Sequence, residues 1–224
     1  AVVLRRDEVQ HSFLIELHKW ADGTAFYQFG TELGRNSFMA PNDSQIFFTN
    51  PVPPLFDDPN NLVGVYSSAF LQPGFGNNFD KDIIEDMNSL GYSLSKIGSD
   101  HLQTMINFPF PALGMFTIEK DLGFQIPQMH MSQGMFRAFA IIIHLNVAIR
   151  AKNKKLILVD DIGEGLDYER AVKIIDFLIK KTQENDMQLI MTSNDRFVMN
   201  KVPLKYWSVI KRTGGIVKVF NQRN

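Results

Sequence analysis

Residues 156–167 read Leu-Ile-Leu-Val-Asp-Asp-Ile-Gly-Glu-Gly-Leu-Asp. Four consecutive aliphatic side chains describe a strand buried on both faces of a parallel sheet. Asp160 and Asp161 then stand where that strand emerges at its C-terminal end, the edge at which open α/β sheets bind ligands. Adjacent carboxylates repel one another and are costly to desolvate, so a cation beside them would account for the pair.

About 25 residues upstream, Met131-Ser132-Gln133-Gly134-Met135-Phe136-Arg137 leads into a stretch, Ala138 to Arg150, that is almost wholly apolar and free of Pro and Gly. Ser132 is a good helix N-cap, and Gly134 lets a backbone or a ligand pass close. The helix that begins here offers free amides and a positive dipole end to an anion.

The order and spacing of these two stretches resemble the C-terminal half of ABC-type ATPases, and more narrowly the RecF/SMC-related AAA ATPases of bacterial genome-maintenance and phage-defence systems. Met131 to Gly134 matches the signature motif, Leu156 to Asp161 the Walker B strand, and Gly165-Leu166-Asp167 the D-loop. Gln188 to Asp195 matches the strand that leads into the switch motif. The resemblance spans roughly residues 12–220, with its specific part at 131–195. It implies that Asp160 holds Mg²⁺, that Asp161 orients the attacking water, and that Asn194 senses the γ-phosphate. It also implies that Ser132, Gln133 and Gly134 contact ATP held by a partner subunit, so that two copies sandwich the nucleotide with Leu166 and Asp167 at the seam. Arg137, one turn into the helix, anchors the signature loop. Two departures stand out: Asp161 occupies the place of the family's Glu, one methylene shorter, and Asn194 replaces a His, so it hydrogen-bonds but takes no proton.

A phosphate-cradling loop needs Gly-x4-Gly-Lys-[Ser/Thr], and none of the fifteen glycines is followed by Lys. In the family this loop lies N-terminal to everything seen here, and the sequence opens on Ala1 rather than Met. The expectation is a C-terminal piece of a longer ATPase. Pro73 to Asn78 is glycine-rich but lacks the Lys and reads as a surface loop.

Composition narrows the class. The 224 residues are 45% hydrophobic, which supports a sizeable core. A net charge of −1 provides no global basic field, so DNA or RNA contact would require a local patch. Lys201, Lys205, Lys211 and Arg212 form such a cluster near the C-terminus. The absence of Cys excludes disulfides and thiolate chemistry and fits a cytoplasmic protein. The histidines, His11, His18, His101 and His144 among them, lack metal-ligand spacing and read as structural or exposed. The longest apolar helix, read as 138–149, is too short to cross a bilayer and contains His144 and Asn146, so no membrane association is expected.

The expected fold is α/β: a mainly parallel sheet with flanking helices, a helical and irregular N-terminal region, and a terminal β-hairpin. Residues 1–128 read as an inserted or lid-like part, and 129–224 as the ATPase C-terminal subdomain. Helices are expected at 8–20 (apolar face Val9, Phe13, Leu17 and Trp20), at 61–72, and at 80–95 with an Asp80 cap. Residues 21–60 read as irregular, with Phe38, Phe47, Phe48 and Phe56 needing cover. Strands are expected around 108–111, 115–118 and 124–126. From Met131 a helix (134–150), strand (155–160), helix (168–184), strand (187–192) rhythm implies parallel strands with crossover helices. Val172, Ile175, Leu178 and Ile179 form the sheet-facing side of the second helix. Lys152, Lys154 and Lys155 read as a solvated basic turn, and 206–211 with 216–220 as a hairpin through Gly214-Gly215.

Two functional readings follow from the resemblance. The first is an ATP-binding, ATP-hydrolysing homodimer subunit. The second is a nucleotide-gated scaffold that controls an effector protein such as a nuclease or toxin, which the Asp161 and Asn194 departures and the aromatic-rich 21–60 segment favour.

Overall fold

The computed structural model describes residues 12–40, 42–43, 49, 52–75, 78–195, 199–200 and 202–221. The expectations for residues 8–11, Phe47, Phe48, Gly76, Asn77 and Lys201 lie outside them. Fourteen elements matter here: α1 (Ile15–Asp22), β1 (Thr24–Gln28), α2 (Leu62–Phe70), α3 (Phe79–Ser89), β2 (Leu94–His101), α4 (Leu102–Met105), β3 (Leu113–Glu119), β4 (Gln125–Pro127), α5 (Gln133–Ala151), β5 (Leu156–Asp160), α6 (Tyr168–Glu184), β6 (Gln188–Met191), β7 (Ser208–Thr213) and β8 (Ile216–Asn221).

β1, β5 and β6 form a parallel sheet in that order, and β2, β3 and β4 form an antiparallel one. Right-handed crossovers that step the same way across a sheet place their helices on the same face. The burial pattern agrees. Ala25 and Tyr27, Ile157 and Val159, and Leu189 and Met191 share a face and join one hydrophobic core with α5 and α6. On the opposite face Phe26, Leu158 and Ile190 form a cross-strand row, and Phe26 and Ile190 are each 49% exposed. The four-aliphatic run in β5 is therefore buried on its core face, while Leu158 on the other is only half-buried among the described residues.

α5 is the hub of the core. Fifteen of its residues, from Gly134 to Ala148, are buried, and it packs against α2 and α3. It runs 19 residues, one beyond the expected 134–150 at each end, and is long and apolar enough to cross a membrane by length and composition rather than too short, yet 83% of that window is buried inside the fold. Two of its polar members are tied to neighbouring helices: Asn146 Nδ2 donates to Asp86 on α3, which Lys181 of α6 pairs at 2.9 Å, and Arg150 pairs with Asp82. These links hold α5, α3 and α6 together.

Several local expectations change. Residues 24–28 are a strand rather than irregular chain, because alternating Ala25 and Tyr27 find the core face of β5. β2 was not anticipated, since Ser95, Lys96, Gly98 and Ser99 dilute its apolar pattern; it pairs along the length of β3. Residues 108–111 are not a strand: Pro109 and Pro111 cannot donate to a ladder, and Phe108 instead packs edge-on against Phe38 and Phe110. Asn78, not Asp80, stands at the N-cap position of α3, without a side-chain capping bond, and the Asp80 carboxylate takes the Tyr66 hydroxyl at 2.8 Å. α6 buries Ala171, Ile174, Ile175, Leu178 and Thr182, a face centred one residue away from the one expected. Lys154 is buried rather than solvated, paired with Asp57 at 2.6 Å and donating to the Asp22 carbonyl. The hairpin begins at Ser208, two residues late.

Candidate functional site

The C-terminal ends of β1, β5 and β6 converge with the start of α5. Gln28 and Asp160 are register partners at that edge, and the Phe29 amide donates to the Asp160 carbonyl at 2.9 Å. Thr192, just beyond β6, makes the tightest side-chain contact there. Its hydroxyl donates to Asp160 Oδ1 at 2.5 Å and accepts from the Asp161 amide at 2.8 Å. One hydroxyl thus sets the orientation of both acidic residues. Asp161 adopts a left-handed backbone, φ +59°, a conformation Asp tolerates better than most residues, and this turns its side chain away from that of Asp160.

The turned Asp161 meets Glu164, two carboxylates converging over Gly30. A Cβ on Gly30 would stand 2.4 Å from Glu164 Oε2 and 3.4 Å from Asp161 Oδ2. The hydrogen bond between the two carboxyls, with their mutual repulsion, holds Glu164 above its ordinary range, and nearby Arg137 partly offsets this.

The segment after β1 wraps the start of α5. Arg137, 2% exposed, donates to the carbonyls of Gly30, Thr31 and Glu164 at 2.6, 2.9 and 2.8 Å. Arg35 donates to the Met129 and Met131 carbonyls, and buried Gln128 donates to the carbonyls of Gly34, Arg35 and Ser37. A buried guanidinium satisfied by three carbonyls is a strong positional lock. Arg137 ties the start of α5 to the loops after β1 and β5.

The predicted site residues fall into two groups. Ser132 and Gln133 are exposed; Ser132 Oγ caps α5 by accepting from the Met135 amide at 3.2 Å, and Gln133 reaches Glu32 at 3.4 Å. Gly134 points inward instead. A Cβ there would lie 2.4 Å from the Gly165 carbonyl oxygen and 2.9 Å from Leu166, so its close approach is to the Gly165–Leu166 turn of its own chain. Asp167 caps α6, accepting from the Arg170 amide and pairing with the Arg170 guanidinium; those bonds hold its carboxyl below the usual range. Asn194 is exposed beyond β6. Thr192, Glu164, Gln28 and Gly30 were not singled out in the sequence. Thr192 lies two residues before Asn194 in a quoted motif, and Glu164 inside the opening run, so both were visible as residues but not as partners.

The donor set fits Mg²⁺ in one particular way. Among the described residues no group of three or more His, Cys, Asp or Glu converges to hold a metal. Mg²⁺ is commonly bound by one or two carboxylates with waters and substrate phosphates, and an exposed Asp160 oriented by Thr192 matches that need rather than an all-protein cage.

No curated protein matches the sequence. The chain is similar to several solved SMC head structures. One comes from a study of ATP-driven dimerization and DNA-stimulated activation of SMC ATPases, at 16% identity and a TM-score of 0.48 over 66% of this chain and 83% of that one. A second, the Smc head with an extended coiled coil bound to the C-terminal domain of ScpA from Pyrococcus furiosus, gives 15% and 0.46 over 69% of this chain and 36% of that one. A third, an Smc head bound to the C-terminal winged-helix domain of ScpA, gives 15% and 0.48 over 71% and 47%. The family described as "AAA domain, putative AbiEii toxin, Type IV TA system" matches residues 26–200, and the chain belongs to it.

Proposed function

We propose that the chain is the signature-bearing half of an ATP-dependent dimer, in which residues 129–224 present the signature, Walker B, D-loop and switch positions, and residues 1–128 act as a lid-like part that contributes one strand to the sheet. The observation that carries this reading is the Thr192 hydroxyl joining Asp160 and Asp161 at a strand end, beside a capped helix start whose Ser132 and Gln133 face outward.

Asp160 holds Mg²⁺, which screens phosphate charge when bound. Asp161 orients a water, Asn194 hydrogen-bonds phosphate, and Ser132 and Gln133 meet the nucleotide of the partner subunit. Gly134 serves that contact indirectly, by seating the signature turn on Gly165 so that Leu166 and Asp167 move with it. Action in DNA maintenance or phage defence, within the cytoplasm, accords with the family's toxin–antitoxin description.

The Asp161–Glu164 contact favours a second reading, a nucleotide-gated scaffold for a nuclease, toxin or antitoxin partner. A carboxylate turned toward a second carboxyl over Gly30 has less of its acceptor capacity free to orient a water.

The decisive experiment uses Ser132→Asp. Asp caps a helix as well as Ser does, so the monomer should fold normally. It also sets a negative charge toward the phosphate, a repulsion of about 1 kcal/mol at 4 Å in water and more in a closed interface. Light scattering on the complete protein, with ATP and Asp161→Asn, should show a dimer with Ser132 and a monomer with Ser132→Asp. A Ser132→Asp dimer would overturn the reading. Hydrolysis that is unchanged by Asp161→Asn would favour the scaffold instead.

A further inference from the structure

Charge is divided unevenly along the sequence. Residues 201–224 contain six Lys or Arg and no Asp or Glu, which leaves 17 basic and 24 acidic side chains in the preceding 200 residues. An acidic body with a basic terminal segment confines any attraction for polyanions to that segment.

The segment folds as a two-stranded antiparallel ribbon, β7 and β8, and among the described residues each strand pairs only with the other. Every residue from Ser208 to Phe220 is exposed. Lys211 and Lys218 are direct cross-strand partners on one face, flanked by the Val209–Phe220 and Thr213–Ile216 pairs. Arg212 lies on the other face, opposite Val217. Like charges placed directly opposite destabilise a sheet, and a lone hairpin is only marginally stable in water. Among the described residues none of Lys211, Arg212 and Lys218 pairs with a carboxylate. Polyanion binding would relieve the repulsion between the two lysines.

We infer that the β7–β8 ribbon is a nucleic-acid-binding arm that enters the groove of a duplex, with Lys211 and Lys218 on one phosphate strand and Arg212 toward the other. The distribution of charge over both faces favours this partner over an acidic protein, which would meet the ribbon from one face. The dimensions agree, since a two-stranded ribbon fits a DNA major groove about 12 Å wide. The ribbon lies apart from the Asp160 site in sequence and is independent of the nucleotide reading.

The test is fluorescence anisotropy of this chain with labelled duplexes of about 20 base pairs, DNA and RNA, and with single-stranded DNA, between about 50 and 200 mM salt. The wild-type chain should bind duplex DNA most tightly, because the deep, narrow groove of duplex RNA does not admit the ribbon. Lys211→Gln/Lys218→Gln should weaken binding at least about tenfold at low salt and lower the log–log salt slope by about two, one for each lost phosphate contact. Lys120→Gln/Lys180→Gln, the same charge change at exposed positions on the body, should leave both unchanged. Absence of wild-type binding at about 50 mM salt, an equal loss in the control, or tighter binding to single strands would overturn the proposal. Polyglutamate bound as tightly as duplex DNA, or a Lys211- and Lys218-dependent dimer in light scattering, would assign the ribbon to an acidic protein surface or a second copy and would also overturn it.

Discussion

Gly134 and Gly165 lie so close that a Cβ on Gly134 would stand 2.4 Å from the Gly165 carbonyl oxygen. The turn that opens α5 and the Gly165–Asp167 turn are therefore a single packed unit, locked from behind by Arg137, which donates to the Glu164 carbonyl and to the Gly30 and Thr31 carbonyls. In a dimer with nucleotide at the seam, displacement of either loop would be felt by the other without any intervening residue.

Gly134→Ala should consequently destabilise the monomer. The obstacle is backbone rather than a flexible side-chain tip, and overpacking of this kind costs roughly 1–3 kcal/mol. Urea unfolding followed by circular dichroism should show that loss, whereas Ser132→Asp should change stability by less than about 0.5 kcal/mol because the cap is kept. A Gly134→Ala protein as stable as wild type would mean that the D-loop yields freely.

Thr192→Val should uncouple the two acidic residues. Removing the hydroxyl deprives Asp160 Oδ1 of its donor and the Asp161 amide of its acceptor, at a cost of about 1 kcal/mol in stability. The larger consequence is expected for Mg²⁺-dependent turnover of the complete protein, which should fall at least about tenfold, the size of effect that loss of a ligand-orienting partner produces. Thr192→Ser should restore it. Equal turnover in all three forms would show that Asp160 is held by its backbone alone.

How far the sequence could be read depended on the range of the interactions. β5, α6 and β6 were legible because aliphatic runs and a helical period are local signals, while the Asp167 cap of α6 came only from the structure. β1 was not, because five residues amid Gly, Pro and Asn become a strand only through β5, more than 120 residues away in sequence. The same applies to the site. Asp160, Ser132 and Asn194 could be named from motif order, but Glu164 acquires meaning only when the left-handed Asp161 turns toward it over Gly30. Gly134 was legible as a close-approach residue; which backbone approaches it was not.

Glu164→Gln should remove a pH-dependent cost at the acidic turn. The Asp161 carboxyl raises Glu164 above its ordinary value of 4.5, so the folded chain retains a proton there at a pH where the unfolded chain has lost it. The fold binds more protons across that interval, and stability therefore falls as pH rises from 4.5 through the raised value. Carboxyl-carbon NMR titration should find Glu164 above 4.5 in the wild type and near it in Asp161→Asn. Wild-type titration at the ordinary value would dissolve the pair and remove the support it lends to the scaffold reading.

His144 should make the core sensitive to acid. It sits in the middle of α5, 4% exposed, its ring tilted against that of Tyr27 at 5.1 Å between centroids, with Nε2 lacking any partner. Burial lowers its pKa to about 4 from 6.5, against the smaller upward pull of a hydrogen bond to the Pro59 backbone and of Asp57 and Asp58. The folded chain keeps the ring neutral while the unfolded chain takes up a proton below 6.5. Stability is thus fully present above 6.5 and lost as pH falls toward 4, by about 3 kcal/mol in all. His144→Leu removes the titrating group while retaining an apolar filler of similar size. Urea unfolding at neutral pH and near pH 4 should show a fall in stability that is smaller in the variant by about that amount. An identical pH dependence in the two proteins would mean that the buried ring reaches water, or a proton, without unfolding the helix around it.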